Sequence, residues 1–154
     1  MNRFPQRVLL RAPLLACAAL FAVLAQPACA ASCTISTTPV SFGIYDVFAM
    51  NPNNNGIGSL TLVCSTDAGN VALSTGQSNT YAARVMRSGA NPLTYNLYTS
   101  AARTRVWGDG SGGSRVMRAA EKATTIFSIY GQIPAGQDAA VGTYTDNITV
   151  TITF

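Results

Sequence analysis

Histidine is absent from the 154-residue sequence, and its absence removes whole classes of chemistry. A Ser-His-Asp triad, a Cys-His pair and any His-ligated metal site all need an imidazole. Charge is scarce too, with Asp, Glu, Lys and Arg together at 10% of the residues. The six acidic side chains, Asp46, Asp67, Asp109, Glu121, Asp138 and Asp146, are scattered, and no spacing among them requires the paired carboxylates of a glycosidase. Ser and Thr fill nearly a quarter of the positions after residue 30, so a lone hydroxyl carries no information as a nucleophile. No apolar run reaches the roughly 20 residues that cross a bilayer as a helix. The expectation is a protein that is not an enzyme and uses no cofactor or metal.

What charge there is divides unevenly. The formal +4 and the pI of about 9.1 suggest a partner such as nucleic acid or an anionic membrane, until the chain is split. Arg3, Arg7 and Arg11 precede the uncharged run Leu14–Leu24, and Gln26-Pro27 and the small-residue site Ala28-Cys29-Ala30 follow it. A basic segment, an apolar segment of about ten residues and an A-x-A-like site specify a secretory signal peptide, here residues 1–30 with cleavage after Ala30. Leu14-Leu15-Ala16-Cys17 has the look of a lipobox, but Arg11 and Pro13 interrupt the segment before it. Residues 31–154 then form the exported domain, with seven basic and six acidic side chains and a formal charge of +1. Nucleic acid is therefore not an expected partner. Cys33 and Cys64 are the cysteines left after processing, too few for a thiolate cage. In an exported protein they read as one disulfide.

Period-two alternation runs through almost the whole domain and specifies β-structure. Cys33–Phe42 reads as a strand interrupted by Pro39, which suits a sheet edge or a switch between sheets, and Gly43 allows a bend. Asn51–Gly56 is a polar loop. Gly58–Cys64 places Leu60, Leu62 and Cys64 on one face, and Asn70–Thr75 does the same with Val71 and Leu73. Tyr81–Arg87 and Leu93–Thr99 form strands joined by a turn at Ser88–Pro92. Thr104–Trp107 is a short strand, and Thr124–Tyr130 is another apolar one. Ala119–Ala123 is expected to hold one helical turn. Seven or so short strands and one disulfide describe an all-β domain, a single immunoglobulin-like β-sandwich.

The last segment carries the most. In Tyr144–Phe154, Ile148, Val150, Ile152 and Phe154 point one way, while Asn147, Thr149, Thr151 and Thr153 point the other. Such alternation puts one face in a core and one in water. No further strand follows Phe154, so the segment needs cover from an earlier strand or from another chain; an open edge here would set unpaired backbone groups beside an apolar stripe.

Several motifs, in order along the chain, carry a family likeness. They are Cys33-Thr-Ile with Pro39-Val-Ser-Phe-Gly43 and Tyr45, then Gly58-Ser-Leu-Thr-Leu-Val-Cys64. Leu93-Thr-Tyr-Asn-Leu-Tyr98, Val106-Trp-Gly-Asp-Gly110, Tyr130-Gly-Gln-Ile-Pro-Ala-Gly-Gln137 and Gly142-Thr-Tyr-Thr-Asp-Asn-Ile-Thr-Val-Thr-Ile152 complete the set. The chain from 31 to 154 resembles the spore coat protein U family, whose domain also forms subunits of archaic chaperone–usher pili. The resemblance implies an incomplete immunoglobulin-like sandwich of six to seven strands that lacks its last strand. Its partners would be a periplasmic chaperone, an outer-membrane usher and neighbouring pilus subunits. The groove along Ile148, Val150, Ile152 and Phe154 would receive a strand from the chaperone and then from the next subunit, and the Phe154 carboxylate would meet basic chaperone residues. Cys33 and Cys64 match the family's cysteines linking the first two strands.

In one respect the chain departs from the assembling subunits, which carry a donor segment of about a dozen alternating residues before the first Cys. Cleavage after Ala30 leaves Ala31-Ser32 there, the pattern of a tip or terminal subunit that accepts a strand without donating one. The two-domain form of archaic tip subunits is longer than this chain. The alternative is a stand-alone secreted coat or glycan-binding module that does not polymerise. For a glycan, Arg103, Arg105 and Trp107 are the candidate surface contacts, weighed against ordinary solvated charge and a core tryptophan. Gly108-Asp-Gly-Ser-Gly-Gly113 reads as a hairpin tip rather than a phosphate loop, since no Lys-Ser/Thr follows it.

Overall fold

A computed structural model describes residues 32–65 and 69–154; the signal peptide expected at 1–30 and its expected cleavage position lie outside the described residues. Among the described residues eight strands follow in order: β1 Cys33–Ser41, β2 Ile57–Cys64, β3 Asn70–Leu73, β4 Arg84–Ser88, β5 Asn91–Tyr98, β6 Met117–Arg118, β7 Thr124–Gln132 and β8 Val150–Thr153. They form a five-stranded sheet, β1-β2-β7-β5-β4, and a three-stranded sheet, β6-β3-β8. The core lies between the sheets, with Leu60, Leu62, Phe127 and Ile129 from the larger sheet facing Val71 and Leu73 from the smaller. This is the expected sandwich, and the ladder of every named pair is antiparallel.

Local chemistry explains the strand limits. Pro39 has no N–H to give a ladder, and the β1–β2 register shifts between Thr38 and Ser41. The chain can absorb this because β1 is an edge strand. Gly43 at φ +68° then turns the chain out of the sheet, a conformation that costs most side chains about 1 kcal/mol or more. Phe42 is wedged between Gly56 and Gly131, where a Cβ on either would run into its ring; its edge meets Tyr95 at a centroid distance of 5.7 Å. Cys33 stands directly opposite Cys64 in the β1–β2 ladder, and the two form the expected disulfide. Closing a loop of that length contributes about 3–4 kcal/mol, largely through the unfolded chain.

Three expectations change. Residues 119–123 contain a turn rather than a helical turn, with Lys122 at φ 49°. Thr104–Trp107 is held by isolated bridges, Tyr98 to Val106 and Trp107 to Arg115, rather than by a strand of its own. The long terminal strand is regular only over Val150–Thr153. Ahead of it, the chain touches β4 through an isolated bridge between Arg87 and Thr145.

Candidate functional site: an open groove between the sheets

Two sheet edges face a single opening. β1 ends the larger sheet and β8 ends the smaller one, and between them lies a groove of about 1330 Å³. One wall is the chain from Thr37 to Phe48, and the other runs from Ala139 to Ile148 and on to Val150. The floor is core: Leu73, Met86, Leu93, Tyr95 and Ile129 all line it. A sandwich closed over this core would carry a strand here.

The hydrogen-bond pattern says which backbone groups are free. Ser74 N donates to Thr149 O at 2.9 Å, and Arg87 and Thr145 exchange two bonds at 2.9 and 3.0 Å. The main-chain groups of Thr145 and Thr149 therefore point toward β4 and β3. In an antiparallel strand successive residues alternate in this respect, so the N–H and C=O of Ile148, Val150 and Ile152 point to the opposite side, where no strand among the described residues pairs with them. Their side chains pack against the core and are only half-buried. Ile148 and Val150 line the groove. Ile152 continues their face beyond it, and Phe154 lies outside the cavity, 57% exposed.

Besides the Arg87–Thr145 bridge, side chains fasten the segment leading into β8. Tyr95 donates its hydroxyl to Asp146 Oδ2 at 2.6 Å, while Asp146 Oδ1 accepts from Gln77 N at 3.1 Å and Asn147 N at 2.8 Å. Burial, then the hydrogen bond to Asp146 and its charge, push the Tyr95 phenol far above its usual pKa, so it remains a donor. Gly76 leaves the notch that the Asp146 carboxylate enters, and a Cβ there would collide with it. Lower down, Ser74 Oγ accepts from Thr149 N at 2.9 Å.

Ser74 is itself held by Arg84. The guanidinium is fully buried, with Nε and Nη2 on Ser74 O at 3.0 and 2.8 Å, Nη2 on Trp107 O at 2.6 Å and Nη1 on Asn96 Oδ1 at 2.7 Å. Burial lowers its pKa, and the surrounding Tyr95, Tyr81 and Asp146 oppose that. Composition alone leaves Arg84 among the solvated charges. Its phase with the inward-facing Met86, two positions on, is the signal that places it inside, since residues i and i+2 share a strand face.

The alternative of a sugar-binding surface at Arg103, Arg105 and Trp107 does not assemble, and Trp107 is a core tryptophan instead. Trp107 is fully buried, donates Nε1 to Val71 O at 2.9 Å and packs edge-on against Phe127; it cannot stack on a ligand at the surface. Arg103, at φ 52°, gives its guanidinium to the carbonyls of Gly131, Ala101 and Asn54. Of the three candidates, Arg105 alone is exposed. In the glycine-rich loop, Asp109 Oδ1 accepts from Ser111 N and Oγ, bonds that lower the Asp109 pKa and close a turn on itself. Among the described residues there is no cluster of three or more metal-ligating side chains, and no helix is long and apolar enough to cross a membrane.

Comparisons with known proteins agree with the sandwich. Protein U of Myxococcus xanthus is 32% identical over an alignment of 129 residues, with 75% of this chain and 71% of that protein covered. Among solved structures, similarity extends to a chain in the CsuC–CsuE chaperone–tip adhesion subunit pre-assembly complex from the archaic chaperone–usher Csu pili of Acinetobacter baumannii. The TM-score is 0.59 at 22% identity over 81% of this chain. This chain spans 40% of that one, and at this identity the likeness is one of fold. The model of the Spore Coat Protein U domain matches residues 19–151, and the chain belongs to that family.

Proposed function

We propose that this protein is a structural subunit of a surface fibre, exported through the periplasm and assembled by donor-strand complementation. A periplasmic chaperone fills the groove first, and a neighbouring subunit's extension replaces it at the outer-membrane usher. The observation that carries this reading is the edge at Ile148, Val150 and Ile152, which no strand among the described residues pairs, beside an open groove floored by the apolar core. An incoming strand gains backbone hydrogen bonds along that edge, and its alternate side chains enter the groove. The same addition removes an exposed β-edge that favours aggregation. Nothing in this role calls for a catalytic group or a cofactor.

The finer reading is a terminal, strand-accepting subunit. Cleavage after Ala30 would put Ala31-Ser32 ahead of Cys33, whereas an upstream site would retain a donor segment, and the family match itself begins at residue 19. The N-terminal residue of the exported protein decides between a terminal and a shaft position.

The test of the main reading uses the protein purified from an oxidising compartment and a synthetic peptide of about a dozen residues with Val or Ile at alternate positions. A one-to-one complex is expected. At a hundredfold excess over Kd it should stabilise the fold by about 2.7 kcal/mol. A monomer that neither binds the peptide nor gains stability from it would point instead to a stand-alone coat protein with a closed edge.

A further inference from the structure

At one end of the groove the walls carry apolar side chains that face water. Ile44 and Phe48 on one wall are 93% and 89% exposed, and Val141 on the other is fully exposed. All three line the same cavity as Ile148 and Val150. Val141 lies on the stretch ahead of β8, where Thr145 bridges to Arg87 and Gly142 approaches Ser88 at the end of β4; on the other wall Tyr45, next to Ile44, meets Pro134 and Gln137, and Gln137 holds Thr94 of the neighbouring β5. The loop that carries Phe48 is built rather than loose. Phe48 N donates to Asp46 Oδ1 at 2.9 Å and Ala49 N to Asp46 O at 3.2 Å; Tyr45 OH donates to Pro134 O and accepts from Gln137 N, tying one wall to the base of the other.

Charge at this end has one sign. The charged residues among those lining the groove are Asp46 and Asp146. Asp146 is occupied by Tyr95 and two backbone amides, while Asp46 is exposed. Asp138 is also exposed and adjoins the wall residue Ala139. The nearby cation, Arg87, is out of phase with the inward-facing Met86 and so lies on the other face of β4.

We infer that these lips are a second, specificity-determining subsite for the strand that enters the groove, accepting its continuation as a large apolar residue accompanied by Lys or Arg. The inference rests on the strand-accepting reading and extends it past the last backbone pair. The apolar contact adds affinity by covering Ile44, Phe48 and Val141. Rim charges act mainly on the rate of encounter and fade with salt. The occupant follows from continuity, because Val141 belongs to the same wall as Ile148 and Val150, while Ile44 and Phe48 belong to the other wall of the same groove.

The experiment compares three peptides on the intact exported protein: an alternating Val/Ile core, the core extended by Phe-Lys, and the core extended by Phe-Glu, each extension placed at either end in separate peptides. At low salt the Phe-Lys extension, at the end that reaches the lips, should associate about tenfold faster than Phe-Glu. That preference should collapse in the double variant Asp46→Asn, Asp138→Asn, in which the amide oxygen introduced at position 46 can still accept from Phe48 N. Phe48→Ser, at an exposed site that spares the fold, should weaken both extended peptides about tenfold and leave the core peptide unchanged. Equal binding of all extensions alongside normal core binding would overturn this proposal alone. Failure of the core peptide would overturn the strand-accepting reading and this one with it. Self-association of the free protein abolished by Phe48→Ser would reassign the lips to a second copy and overturn the proposal too.

Discussion

β2 and the segment ending in β8 have the same sequence pattern and opposite circumstances. In β2, Leu60 and Leu62 are both 0% exposed, because β1 and β7 flank the strand and the smaller sheet covers it. Ile148, Val150 and Ile152 alternate in the same way, yet they remain half-buried, with β3 on one side and an open groove on the other. Alternation specifies which side chains share a face. It does not specify whether a neighbour stands beside the strand, and that missing neighbour separates a closed core from an acceptor site.

Substitutions on the two sides should therefore differ in kind. The largest expected effect is on the closed side: Leu62→Ala leaves a cavity with no room to relax and should cost about 3–5 kcal/mol, read from denaturant unfolding. Next comes the staple at the margin between the sides. Cys33→Ser with Cys64→Ser should cost about 3 kcal/mol, and β1, an edge strand laddered to β2, should be the first strand to exchange its amides. The smallest effect on the free protein belongs to the open side. Val150→Ala should cost about 1 kcal/mol, since much of the side chain already meets water, but weaken a bound donor peptide about tenfold or more. Equal destabilisation at Leu62 and Val150 would show that the two sides are alike and that the groove is closed in solution.

Much of this was legible in the sequence, for a physical reason. Strands with one wet face must alternate, so Leu60, Leu62, Val71 and Leu73 disclosed their burial, and Pro39 disclosed an edge because it cannot serve a central ladder. Non-local pairings were less visible. Nothing local to Trp107 says that its indole reaches Val71 O, or that Arg84 finds Ser74, Asn96 and Trp107 around it. A buried guanidinium is tolerated only where several acceptors converge, and convergence is a property of the fold. The lips at Ile44, Phe48 and Val141 escape a reading by pattern for a related reason: an apolar residue in a loop has no period to betray its role.

Amide hydrogen exchange along the final segment tests the incomplete sandwich most directly. In the free protein the amides of Ile148, Val150 and Ile152 should exchange rapidly, while those of Thr151 and Thr153, on the side facing β3, should be protected. A bound donor strand should bring the three isoleucine and valine amides to comparable protection. Strong protection of those three amides in the free monomer would contradict the account.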